Sequence, residues 1–165
     1  MFAKMTMEKD VNKIVEGYEK YTGSDLRIQK ITGDPGTTPS KSDLEDPDNI
    51  IKYRSFVGQS MWYTTKVVPD VANSARELAV HISHPGPEHY KTLGHLIGYL
   101  KGKETKGVII IKHNVMISVM FCDLNYATYK NTIKRVSVLL YTIEETLLTC
   151  LSRTHRTVAL SSMEA

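Results

Sequence analysis

The stretch YLKGKETKGVIII, residues 99–111, decides the fold, because the apolar period changes across it. Before it, apolar residues recur every three or four positions. After it they recur every second position. Lys101 and Lys103 suit the negative end of a helix, and Gly102 can take the left-handed stop conformation there. Val108 to Ile111 is then a short apolar run of strand character.

Upstream, three amphipathic helices are predicted. Tyr53, Phe56, Val57 and Met61 form one stripe. Pro69 opens the next helix, where its missing N–H is harmless, and Asp70 favours the positive end. Its stripe is Val71, Ala75, Leu78, Ala79 and Ile82. His84-Pro85-Gly86-Pro87 breaks the chain, and Pro87 and Glu88 start a third helix with stripe Leu93, Leu96, Ile97 and Leu100. Residues 1–30 hold Ile14, Val15, Tyr18 and Tyr21, enough for one further helix. Thr32 to Asn49, with Gly33, Pro35, Gly36, Pro39 and Pro47, reads as an exposed connector.

Downstream, Val115, Ile117, Val119 and Phe121 alternate with Met116, Ser118, Met120 and Cys122. Val136 to Ile143 and Thr146 to Leu151 read as further strands, and Thr157 to Leu160 can extend the sheet. Helices followed by strands predict an α+β chain, a small helical unit and then a set of strands, with a boundary near Gly107. The expected parts are 1–50, 51–107 and 108–165. Ser161-Ser162-Met163-Glu164 has the form of a capping box at the start of a helix.

The composition, 41% hydrophobic and 24% charged, excludes global disorder. No apolar run approaches the roughly 18 residues of a membrane span, and Met1 to Asp10 lacks an apolar stretch of signal-peptide length. Cys122 and Cys150 suit a reducing compartment rather than a disulfide framework or a zinc site. The net charge of +3 is uneven. Residues 1–50 carry seven basic and ten acidic side chains, residues 51–107 eight and four, and residues 108–165 six and four. That distribution is compatible with a phosphate-facing surface, though solvated helices share it.

Four strings carry a resemblance. Tyr53 to Tyr63 reads YRSFVGQSMWY and is followed by Pro69-Asp70-Val71-Ala72; His84 to Lys91 reads HPGPEHYK, with Tyr99-Leu100-Lys101-Gly102 beyond. Phe121 to Ala127 reads FCDLNYA, and Thr157 to Ala165 reads TVALSSMEA. In order and spacing these resemble the Pol polyprotein of copia-type retrotransposons, from the end of reverse transcriptase into ribonuclease H. The resemblance implies a thumb- or connection-like helical unit, a palm-end remnant over 1–50, and the opening meander of a ribonuclease H fold.

It also implies chemistry. Ribonuclease H cleaves the RNA of an RNA–DNA hybrid with two metal ions about 4 Å apart, held by carboxylates. Asp123 and Glu164 match two of the family's ligands, catalytic and magnesium-binding in the intact family but vestigial here. Further carboxylates would lie beyond Ala165, and no paired-aspartate palm motif occurs. Asn125, Val138, Cys150 and the Glu144-Glu145 turn depart from the family pattern. The resemblance therefore implies a degenerate fragment, catalytically inactive alone, with no bound cofactor, although magnesium serves the intact family. Its partners would be RNA, DNA or their hybrid, with no membrane and no small-molecule substrate, in the cytoplasm or nucleus. Weak nucleic-acid binding would use Arg54, Lys66, Arg76, Lys91, Lys101, Lys103 and Lys106. Two other readings stand beside it: part of an active polyprotein with polymerase and ribonuclease H activities, or a domesticated helical interaction module.

Without the resemblance, Asp123 reads as a turn or surface carboxylate, and capping alone explains Glu164. His81, His84, His89 and His95 read as surface or capping histidines, because Pro85 and Pro87 interrupt any i, i+4 ligand pair. Gly94, Gly98, Gly102 and Gly107 do not form a phosphate loop, since no Gly-Lys-Ser/Thr follows a strand.

Overall fold

The computed structural model describes residues 2–33, 47–111, 117–125, 136–143 and 146–154. The elements run β1 (Phe2–Thr6), α1 (Glu8–Thr22), α2 (Pro47–Lys66), a 3-10 turn (Pro69–Val71), α3 (Ala72–Val80), α4 (Pro87–Lys101), β2 (Gly107–Ile111), β3 (Ser118–Asn125), β4 (Val136–Ile143) and β5 (Thr146–Thr154). The chain is thus α+β. β1 and β2 form a two-stranded sheet, and β3-β4-β5 form a separate three-stranded one. The ribonuclease H likeness is not confirmed by this architecture. Thr157 to Leu160, the capping box at Ser161 and most of the connector lie outside the described residues.

Two compact units result: Lys4–Val108, and Ile109–Ala165 with Met1–Ala3. In the first, α1 supplies Val11, Ile14, Val15 and Tyr18 to the same apolar cluster as Tyr53, Phe56 and Val57 of α2 and Leu93, Leu96 and Ile97 of α4. The sequence-based division sets residues 1–50 apart from 51–107. In the structure α1 packs with α2 and α4, its stripe joining theirs in one apolar cluster.

Buried tyrosines fasten the helices to one another. The Tyr18 hydroxyl donates to Tyr90 O (3.0 Å), Tyr53 to Leu78 O (2.9 Å) and Tyr63 to Asp10 O (2.7 Å). Each ring fills the core while its hydroxyl satisfies a carbonyl, so no polar group is wasted in an apolar site. Burial holds the Tyr18 and Tyr63 hydroxyls neutral and pushes both up to about 12.

The structure corrects three local expectations. Met61 is exposed, and Ser60 and Thr64 take the buried positions of α2 instead. Their hydroxyls donate to Phe56 O (2.9 Å) and Met61 O (2.7 Å), which removes the penalty of burying them. Pro69 opens a 3-10 turn, and the α-helix starts only at Ala72. Gly102 is not left-handed, with φ −74°. A Cβ there would lie 2.7 Å from Ile28 Cγ2, so close approach rather than backbone geometry favours glycine. The left-handed helix stop is Gly23, φ 68°, at the end of α1.

Beyond Gly23 the chain crosses α4. Gln29 N–H donates to Gly98 O (3.2 Å). Glu19 Oε1 accepts from Leu26 N–H (2.9 Å) and from Lys101 Nζ (2.8 Å), which ties the crossing segment to both helices. The Lys101 hydrogen bond first, and the Leu26 amide second, hold the Glu19 carboxyl below its usual range.

In the second unit, β3 and β4 pair antiparallel from Ser118↔Ile143 to Asn125↔Val136. β4 and β5 pair from Val136↔Thr154 to Ile143↔Thr146, with a bulge between Tyr141 and Thr142.

Candidate functional site

The helical unit carries a depression of about 370 Å³ between α1 and α2. Asp10 and Lys13 of α1 and Gly58, Gln59, Trp62 and Tyr63 of α2 line it. Its existence follows from helix geometry. Trp62 lies nine residues after the buried Tyr53, so it projects about 180° from the core stripe. It is 57% exposed. Gly58, one turn earlier on the same face, leaves open space where a side chain would stand. The Tyr63–Asp10 hydrogen bond fixes the two helices at the floor of the site.

The electrostatics are mixed. Lys66 Nζ stands 4.8 Å from the centroid of the Trp62 ring, a cation–π contact at the edge of the depression. Lys13 and Asp10 are exposed on the α1 side. The Tyr63 hydroxyl, with burial and Asp10 pushing it up to about 12, is no nucleophile at neutral pH. An aromatic wall, an open floor and flanking charges suit binding rather than bond-making.

The sequence-predicted site residues fall elsewhere. Asp123 stands exposed on β3, paired across the sheet with Val138. Glu164 lies outside the described residues. No group of three or more His, Cys, Asp or Glu that could hold a metal occurs among the described residues, which therefore do not fit a magnesium pair.

The seven basic residues are spread over several elements. Arg54 and Lys66 lie on α2, Arg76 on α3, Lys91 and Lys101 on α4, and Lys103 and Lys106 in the turn that follows. Arg76 is 7% exposed and bonded to Asn73 Oδ1 (2.9 Å) and Glu77. Arg54 Nε donates to Ile82 O (3.0 Å), Lys101 is paired with Glu19, and Lys103 lies over the Tyr99 ring. Lys66, Lys91 and Lys106 are exposed. Among the described residues no helix is long and apolar enough to cross a membrane.

Of the predicted set, only Lys66 stands beside the depression. The sequence reading missed Trp62, although the spacing from Tyr53 already places it on the outer face.

Comparison with known proteins gives a match over most of the chain to secreted RxLR effector protein 161 of Plasmopara viticola. Identity is 28% over 114 residues, covering 69% of this chain and 80% of that protein. The relative is a secreted effector. No family model and no solved structure matches.

This finding overturns the copia-type resemblance, and with it the reading as a retrotransposon reverse transcriptase and ribonuclease H fragment. The expected cytoplasmic or nuclear location falls with them. Among the described residues, the tyrosine-rich run lies in α2, and Pro87 and Lys101 stand at the start and the basic end of α4, positions that local helix rules account for.

Proposed function

We propose that this chain is a secreted effector-type protein that works by docking on a partner protein through its helical unit. The observation that carries the reading is the similarity to a secreted effector across 69% of the chain. The depression beside Trp62 supports it with a surface of suitable chemistry. Exposed tryptophan is enriched among residues that anchor protein interfaces, and a glycine beside it leaves room for an incoming side chain.

The partner surface is an apolar side chain next to a carboxylate. Trp62 and Gly58 take the apolar group, while Lys13 and Lys66 face the acid across the edge of the depression. The reading calls for no cofactor and no nucleic acid. The helical unit Lys4–Val108, with its own core, is the binding module.

Two measurements test this. Immunoblots of medium and cells from the producing organism should show the protein enriched in the medium relative to a cytosolic marker. Equal retention of both would overturn the reading. In binding assays with extracellular or host proteins, Trp62→Ala should weaken capture at least tenfold while Phe121→Ala leaves it unchanged. Equal loss in both variants would refute the assignment to the α1–α2 surface.

A further inference from the structure

The turn between α3 and α4 holds a histidine in an unusual setting. His89 is the third residue of α4 and 1% exposed. Its Nδ1 accepts a hydrogen bond from Gly86 N–H at 2.8 Å, while His89 N–H donates to Gly86 O at 2.9 Å. The imidazole therefore does the work of the Glu or Gln that usually closes a capping box from this position. Because Nδ1 accepts, the neutral ring carries its proton on Nε2. Nε2 is buried and has no hydrogen-bond partner among the described residues. The His81 ring lies over it, with centroids 4.3 Å apart and planes tilted by 41°.

Only the neutral ring fits this site. A second proton must go to Nδ1, which turns the acceptor into a donor aimed at the Gly86 N–H donor. The cap is then lost and a cation is left buried against a second imidazole. We propose that the His81–His89 pair is an acid-sensitive latch on the helical unit: protonation of His89 frees the start of α4 and loosens the turn at His84 to Gly86.

Among the described residues, charged and titratable groups lie on each neighbouring element, with Tyr90 next to His89 on α4. His81 follows α3, Glu88 precedes His89 on α4, and exposed His84 lies in the turn. Arg54 of α2 donates to Ile82 O, and the Tyr53 hydroxyl of α2 to Leu78 O. On α3, Arg76 and Glu77 pair with each other. Burial first, and His81 second, hold the His89 imidazole below its ordinary 6.5, against Glu88. The unfolded chain therefore binds a proton that the folded one refuses as pH falls below 6.5. Stability is full above that value and is lost towards acid pH, until the folded state also takes the proton.

The test is urea unfolding of the full chain, followed by helical circular dichroism from pH 7.5 to 5.0, in wild type and His89→Gln. Glutamine keeps the capping acceptor and does not titrate. The unfolding constant of wild type should rise relative to His89→Gln by up to about tenfold per pH unit below pH 6.5. Parallel curves would overturn the proposal. Should His89→Gln not fold, an NMR titration of the wild-type imidazole decides the matter. Titration below 6.5, with loss of the Gly86 amide's hydrogen-bonded shift, supports the latch, and titration at or above 6.5 refutes it.

Discussion

The helical unit gathers its apolar side chains into one cluster, whereas the three-stranded sheet leaves most of its own accessible. Tyr53, Val57, Leu93, Leu96, Ile97 and Leu100 of the first unit are fully buried. Among the described residues of β3, β4 and β5, Val136, Thr146 and Cys150 are the buried ones, while Val119, Met120, Phe121, Leu148 and Leu151 are exposed. The two regions use residues of similar hydrophobicity. They differ in how many faces those residues occupy. A helical stripe places its apolar groups on one side, so neighbouring helices can cover it. β3 carries Val119 and Phe121 on one face and Met120 on the other, which is twice the surface for neighbours to cover.

The contrast can be broken most directly with core truncations. Leu96→Ala should cost about 2–5 kcal/mol, from lost burial plus the cavity left in a packed core. Phe121→Ala, at a side chain 58% exposed, should stay within about 0.5 kcal/mol. Urea midpoints at constant slope measure both. Equal losses would mean that the sheet hides a core of its own.

Next come paired glycine substitutions within the helical unit. A Cβ on Gly98 would stand 2.5 Å from the Arg27 carbonyl oxygen, a backbone atom that cannot step aside. Gly98→Ala should therefore destabilise by about 1–3 kcal/mol. Gly58 meets nothing within 4 Å, so Gly58→Ala should raise stability by about 0.5–1 kcal/mol through better helix propensity. Thermal melts of the two variants should move in opposite directions.

Alkaline titration sharpens the same point. Tyr18, Tyr63 and Tyr99 are pushed up to about 12: Tyr18 by burial and then Tyr21, Tyr63 by burial and then Asp10, Tyr99 by burial and then the Asp70 hydrogen bond. A folded pKa above the unfolded value of 10 means that stability present below pH 10 is lost as pH rises towards 12. Phenolate absorbance should thus show these three groups ionising late, together with the loss of helix. Early, independent ionisation of all nine tyrosines would contradict the packed arrangement.

The smallest effect concerns the sheet. Cys122 is exposed, while Cys150 is buried and its thiol is raised by that burial. A thiol reagent at neutral pH should label one cysteine quickly and the second only after unfolding, with little change in stability. Two fast labels would show that the sheet does not protect even its most buried thiol.

Much of the fold is legible in the residue pattern, because helical stripes and alternating runs are local signals. Pro87 at a helix start, the Leu93–Leu100 stripe and the strands at Val136 and Thr146 lie where their periodicities place them. The crossing of α4 by residues 25–29 is not legible, since no local rule says which helix an irregular segment will cover. Trp62 sits on the outer face by arithmetic alone. That this face becomes a depression depends on α1 arriving beside it, through the Tyr63–Asp10 contact made 53 residues apart. His89 shows the same division. Its position as a capping residue can be read from HPGPEH, but its burial under His81 cannot.

The sequence by itself determined the α+β class, the change from helices to strands near Gly107, and the faces most elements must hide, because period and capping are set by neighbours a few residues apart; the opening strand β1 was not legible in it. Tertiary structure alone decided which face stays open, which histidine is kept neutral and which basic side chains are tied up in pairs. Those outcomes depend on contacts between distant segments, and desolvation and pairing arise only once those segments meet.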